Sequence, residues 1–194
     1  MCDPRWIFAT LLLSLSSSAA VAATEAADKP FGGSEASASW GAGFRVMAIS
    51  SDWGVGAVLT SPELGQSGYH LSVSASAMSS ALLPSPLGEY DIVALGISNR
   101  QAVSQWARGY SNIELGALLP NSSLSSKVAM SAMPEVGLEF CPAQNEGGDR
   151  IKGIALFAEL GASIPIFNVH ADAVSGAPYY ARGVAVSIGT RYFF

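Results

Sequence analysis

His70 and Ser72 are the residues whose types and spacing could do chemistry. Two apart, they share a face if the segment is a strand, and an imidazole beside a hydroxyl can activate it as a nucleophile. Glu89 or Asp91 on a neighbouring strand could orient the imidazole, which makes His70, Ser72 and Asp91 candidates for ester hydrolysis. The reading set against this is a hydrogen-bond network of polar residues on one face. His170 and Asp172 offer two ligands where a zinc site uses three or four, so no metal is expected. Glu114, Glu135, Glu139 and Glu159 form an acidic set capable of acid–base work, but Arg45, Arg108 and Arg191 can pair with it. Cys141, at a strand end, reads as a small buried apolar residue rather than a reactive thiol. Gly54 and Gly56 lack the strand–helix context of a phosphate loop and read as bends or close packing within a strand. No cofactor is expected.

The elements that carry these residues read as about eight strands. Turn clusters break the chain at Ser50-Ser51-Asp52, Ser61 to Gly65, Pro84 to Gly88, Ser98 to Gln101, Pro120 to Ser123, Pro142 to Asp149 and Asn168 to Ala181. Between them apolar residues recur with period two. Val184, Val186, Ile188, Tyr192 and Phe194 alternate with Gly183, Ala185, Ser187, Gly189 and Arg191. Ile154 through Ile166 alternates in the same way with Gly153, Ala155, Glu159, Gly161 and Ser163. The apolar runs reach about ten residues, the length a tilted strand needs to cross a hydrocarbon core, whereas soluble strands manage with about five or six. Two segments are less regular. Val93, Leu95 and Ile97 share parity with Asp91, which predicts a bulge or a misplaced boundary in the fourth strand. Ser72 to Leu83 has helix propensity; the alternating serines at 72, 74 and 76 favour a strand, with a helix from about Ala75 to Leu83 as the alternative.

The face opposite the apolar one is Gly, Ala and Ser with isolated charges, which suits a narrow lumen better than a water-exposed surface. That lumen is expected to hold Arg45, Arg108 and Arg191 against Glu114, Glu135 and Glu159, mutually paired because unpaired charges there would be costly. Charged residues make up only 13% of the chain, against roughly 25% in an average soluble domain. The net charge of −5 and the lack of a basic stripe exclude a nucleic-acid partner. At the N-terminus, Arg5, the apolar run Trp6 to Leu15 and the small residues Ser16 to Ala23 read as a signal peptide over residues 1–23. Residues 24–37 read as a flexible lead-in, and 38–194 as the barrel. After cleavage only Cys141 would remain, so no internal disulfide is expected.

The chain ends Ser187-Ile188-Gly189-Thr190-Arg191-Tyr192-Phe193-Phe194. A polar residue, a glycine two positions on, an aromatic third from the end and a terminal Phe resemble the C-terminal signal of outer-membrane β-barrel proteins. Ser187, Gly189, Tyr192 and Phe194 occupy the matching positions. The resemblance implies recognition by the barrel-assembly machinery and a place in the cell outer membrane, among its lipids. The expected fold is all-β: an eight-stranded, antiparallel, up-and-down transmembrane barrel with both ends periplasmic. Trp40, Trp53, Tyr69, Tyr90 and Trp106, near segment ends, fit an aromatic belt. The His-x-Ser spacing at 70 and 72 also resembles an element of outer-membrane lipid A deacylases, though that element lies late in its family's chains and here it is early. The leading expectation is a structural or interaction role through short outer loops, ahead of lipid hydrolysis and of a small porin-like channel. Oligomeric state is not predicted.

Overall fold

The computed structural model of the protein describes residues 39–64, 68–81, 88–104, 106–120, 128–141, 153–167 and 181–194. The predicted signal peptide, the lead-in, His170, Asp172 and most of the longer connections lie outside the described residues. Eight strands follow one another: β1 (Gly41–Ile49), β2 (Asp52–Glu63), β3 (Tyr69–Ser80), β4 (Glu89–Ala102), β5 (Ala107–Pro120), β6 (Ala129–Phe140), β7 (Gly153–Phe167) and β8 (Gly183–Phe193). Each pairs antiparallel with the next, and β8 returns to β1 with Phe193 opposite Gly41, closing a barrel in sequence order. Closure leaves no strand edge unpaired, which lets an apolar sheet exist without recruiting further strands.

Period-two alternation sets the two faces. Along β3, Leu71, Val73, Ala75 and Ala77 point out, and His70, Ser72, Ser74 and Ser76 point in. The segment stays a strand through Ser80, so the helical alternative for Ala75 to Leu83 does not form where it is described. In β4 no bulge forms, and the misplaced boundary is what occurs: the strand continues through the expected turn at Ser98 to Gln101 as far as Ala102. Val93, Leu95, Ile97 and Asp91 all face outward in one unbroken register. The error came from treating a charge as an inward marker, whereas an outward carboxylate near a strand end can sit in water. The irregularities fall elsewhere, between Thr60 and Glu63 in the β2–β3 ladder and between Met130 and Ser131 in the β6–β7 ladder. Pro62 and Pro165 lie at these points, and a proline has no N–H to give to a ladder.

The start of β1 and the end of β8, with the strand ends that lead into the β2–β3, β4–β5 and β6–β7 connections, define one rim of the barrel, here the terminal rim; the other strand ends define the far rim. Two residues suffice for the β1–β2 turn, where Ser50 takes the left-handed conformation (φ 55°) that such tight hairpins demand. Ser50 also ties this turn to β8, its N–H donating to the Val184 carbonyl and its hydroxyl to the Arg182 carbonyl.

Inside, the two halves differ. Toward the far rim Met47, Ile49, Met78, Tyr90, Ile92, Leu118, Ala129, Met133 and Ala185 form one buried apolar cluster. Toward the terminal rim the lumen is polar and charged. The sequence predicts a lumen of Gly, Ala and Ser with isolated charges; the far half holds larger apolar side chains instead. Eight strands enclose a bore just wide enough for side chains to fill, and unbranched methionines adapt to its irregular gaps.

Candidate functional site

The inward charges of β1, β5, β6 and β7 meet at mid-height. Arg45 and Glu114 form a two-pronged ion pair, Nη1 to Oε1 at 3.2 Å and Nη2 to Oε2 at 3.1 Å. Ser74 accepts from the Arg45 Nη2 at 2.9 Å and donates to Glu114 Oε2 at 3.2 Å. The Asn112 amide donates to both Glu114 and Glu135, each at 3.2 Å. Glu159 accepts from the Tyr110 hydroxyl at 2.7 Å and from the Ser187 hydroxyl. Bidentate geometry and neutral donors together offset the desolvation that makes a buried charge costly.

A second group lies below, at the terminal rim. Glu139 is fully buried and bridges two guanidinium groups, Arg191 at 2.7 Å and Arg100 at 3.8 Å. Arg191 also lies over the Phe157 ring, 4.7 Å from its centroid, and Arg100 lies between the Tyr110 and Phe193 rings at 5.9 and 5.7 Å. Arg45, Glu114, Glu135, Glu159 and Arg191 therefore all face the lumen, where the sequence predicted them. Arg108 is only half-buried at the rim and stands outside the ion pairs among the described residues. Arg100 takes the place expected of it. It was hidden in an apparent turn cluster, yet the inward parity of Ala94 and Ser98 continues to it once β4 is extended to Ala102.

Tyr110 reaches Glu159 by lying across Gly137, where a Cβ would run into the ring carbons and stand 2.8 Å from the hydroxyl oxygen. Gly137→Val is expected to displace the ring, break its bond to Glu159 and destabilise the barrel by about 1–3 kcal/mol. A drop in the urea midpoint, with loss of near-ultraviolet tyrosine dichroism, is the measurement.

The hydrolase candidates are not assembled. His70 and Ser72 face inward, and His70 Nδ1 donates to the Ser61 carbonyl at 3.0 Å. Asp91 faces outward, seven residues further along the ladder, about 23 Å from the level of His70. Glu89 also faces out and is further still. The Ser72 hydroxyl has no partner among the described residues and borders a small cavity with Thr60, Ser98, Arg100 and Asn112. That cavity is about the size of one water molecule and has no room for an acyl chain. Cys141 is buried against Ala155 and Phe193, and burial pushes its thiol pKa up, as in an inert packed cysteine.

The middle of the outer wall is apolar on every strand. At the terminal rim the wall ends in exposed aromatics: Trp40, Tyr69, Trp106, Phe140, Tyr192 and Phe194. Trp106 stacks on Phe140 with centroids 5.8 Å apart, and Tyr192 on Phe194 at 6.4 Å. Trp53 faces out near the far rim. Tyr90 does not join a belt. It is buried and donates to Asp52 at 2.8 Å, because its parity on β4 is inward. Of the C-terminal motif, Tyr192 and Phe194 point outward, Ser187 binds Glu159 inside, and Gly189 lies where a Cβ would collide with the Phe44 carbonyl and the Phe157 ring.

No protein-family model matches the chain, and none of the curated proteins matches it. Among solved structures it is similar to the N-terminal β-barrel domain of Pseudomonas aeruginosa OprF, at 10% identity and a TM-score of 0.54, over 81% of this chain and 98% of that one. It is also similar to Neisserial surface protein A (NspA), at 11% identity and a TM-score of 0.48, over 80% of this chain and 95% of that one. The first likeness supports the fold, a closed eight-stranded antiparallel barrel.

Proposed function

We propose that the protein is an outer-membrane barrel that spans the bilayer as a sealed body and serves a structural or interaction role through its far-rim connections. The observation that carries this reading is the pairing of a lipid-compatible wall with a filled bore. Leu95, Ile113, Leu115, Leu160 and Ile188 expose large apolar side chains to the outside, an arrangement that water would penalise and hydrocarbon would not. The aromatic ring at the terminal rim suits the headgroup level of a membrane. Its partners in this reading are the lipids of the outer membrane and, through Phe194 and Tyr192, the barrel-assembly machinery. The resemblance of the C-terminus to the barrel signal and the outward setting of both rings support that second partner.

Two observations run against the other roles. Met47, Ile49, Met78, Ile92 and Met133 fill the far half of the bore, so an ion would have to cross a dry apolar layer. For hydrolysis, the Ser72 hydroxyl faces a cavity of single-water size, and Asp91 is outside. Purified protein in planar bilayers is expected to give no discrete conductance steps at any voltage. Reproducible unit steps would overturn the sealed-barrel reading. Lipid profiles of cells carrying wild type or Ser72→Ala are expected to be identical; a lipid product lost in the variant would restore the hydrolase.

A further inference from the structure

The apolar wall is uneven in height, and its low point is β4. On β7 every outward position from Ile154 to Ile166 is apolar, a rise of about 40 Å along the strand and about 30 Å along the membrane normal at a tilt near 40°. On β6 the outward run from Met130 to Phe140 is also unbroken. The outward positions of β4 read Glu89, Asp91, Val93, Leu95, Ile97, Asn99 and Gln101, so three successive apolar side chains are bracketed by polar ones at both ends. Asp91 and Asn99 are separated by about 26 Å along the strand and about 20 Å along the normal. The ladder widens the lower gap, since Asn99 pairs with Ser111 and Gln101 with Gly109 on β5.

An outer-membrane barrel presents an apolar band about 25 Å tall, and mismatch between wall and hydrocarbon is relieved by tilting the protein or by changing the lipid thickness. Tilting slides the band up or down on one side. It cannot lengthen a band that is polar above and below on the same strand. We infer that β4 is a bilayer-thinning face, along which the two leaflets draw together so that phospholipid headgroups reach Asp91 from one side and Asn99 from the other. The surface fits lipid with short or disordered acyl chains beside Val93, Leu95 and Ile97, while β6 and β7 hold lipid at full thickness. This rests on the membrane-spanning reading above.

The test compares wild type with Asp91→Leu/Asn99→Leu, refolded into phosphatidylcholine vesicles with twelve- to eighteen-carbon chains, by urea unfolding midpoint. The variant's gain over wild type is expected to be small in the shortest lipid and to grow with chain length. A gain that is the same at every chain length, or none, would overturn the inference while leaving the spanning reading intact. Failure of both proteins to insert into any vesicle would overturn the spanning reading and this inference with it. Near-wild-type barrels supply a second readout, using spin labels at Leu95→Cys and Leu160→Cys in a Cys141→Ala background. Both labels lie midway along their apolar runs, and the label at 95 is expected to be several-fold more accessible to a water-soluble relaxing agent. Equal accessibility would contradict thinning at β4.

Discussion

Glu139→Gln is expected to be the most destabilising of the conservative lumen changes, lowering the free energy of unfolding by about 3 kcal/mol or more. The carboxylate is wholly buried and is the counter-charge for Arg191 at 2.7 Å and Arg100 at 3.8 Å. An amide of the same size keeps the packing and leaves two buried guanidinium groups facing each other. Arg191→Ala removes one cation and lets Arg100 take the carboxylate, so its cost should be smaller. The double change Arg191→Leu/Glu139→Leu should recover part of the loss, because deleting both partners of a buried pair is milder than deleting one. Urea titration in detergent micelles measures all three. An unchanged midpoint for Glu139→Gln would mean that the terminal half of the bore is open to water.

Deleting Phe194 is expected to reduce the folded barrel in cells to a small fraction of wild type while leaving refolding in detergent nearly unaffected. The ring is exposed and its contact is a stack on Tyr192, so little packing is lost with it. The backbone bond from the Phe194 N–H to the Trp40 carbonyl, at 3.0 Å, is the further cost. A defect confined to cells would assign the residue to recognition by the assembly machinery. Equal losses in cells and in detergent would make it a stability element of the last strand instead.

The strands were legible because their outward faces are long and apolar, and because Gly, Pro, Asn and Ser cluster between them. The inward setting of Arg45, Glu114 and Arg191 was legible too, since they stand at inward parity amid small residues; their pairing was less so, because Arg191 meets Glu139 while Glu135 and Glu159 accept from neutral donors. The apolar half of the bore was not. On β1 both parities become apolar past Arg45, with Val46 and Ala48 outside and Met47 and Ile49 inside, so alternation of polarity no longer distinguishes the faces. Tyr90 and Asp91 misled for a related reason: the outer wall ends before β4 does, and beyond that level a carboxylate faces out while a ring turns in to meet Asp52. Asp91 lies beyond reach of His70 and Ser72 because strand parity and ladder register, neither visible from proximity in sequence, decide which side chains meet.

The proposed state of the protein is a closed barrel embedded in the outer membrane. Its most direct measurement is the migration of the membrane-bound protein on a detergent gel, with and without boiling. A closed barrel of this kind resists the detergent at room temperature, so the chain is expected to sediment with outer-membrane fragments and to run as a faster band until it is boiled. Protein recovered from the soluble periplasmic fraction, with one band position before and after boiling, would contradict it.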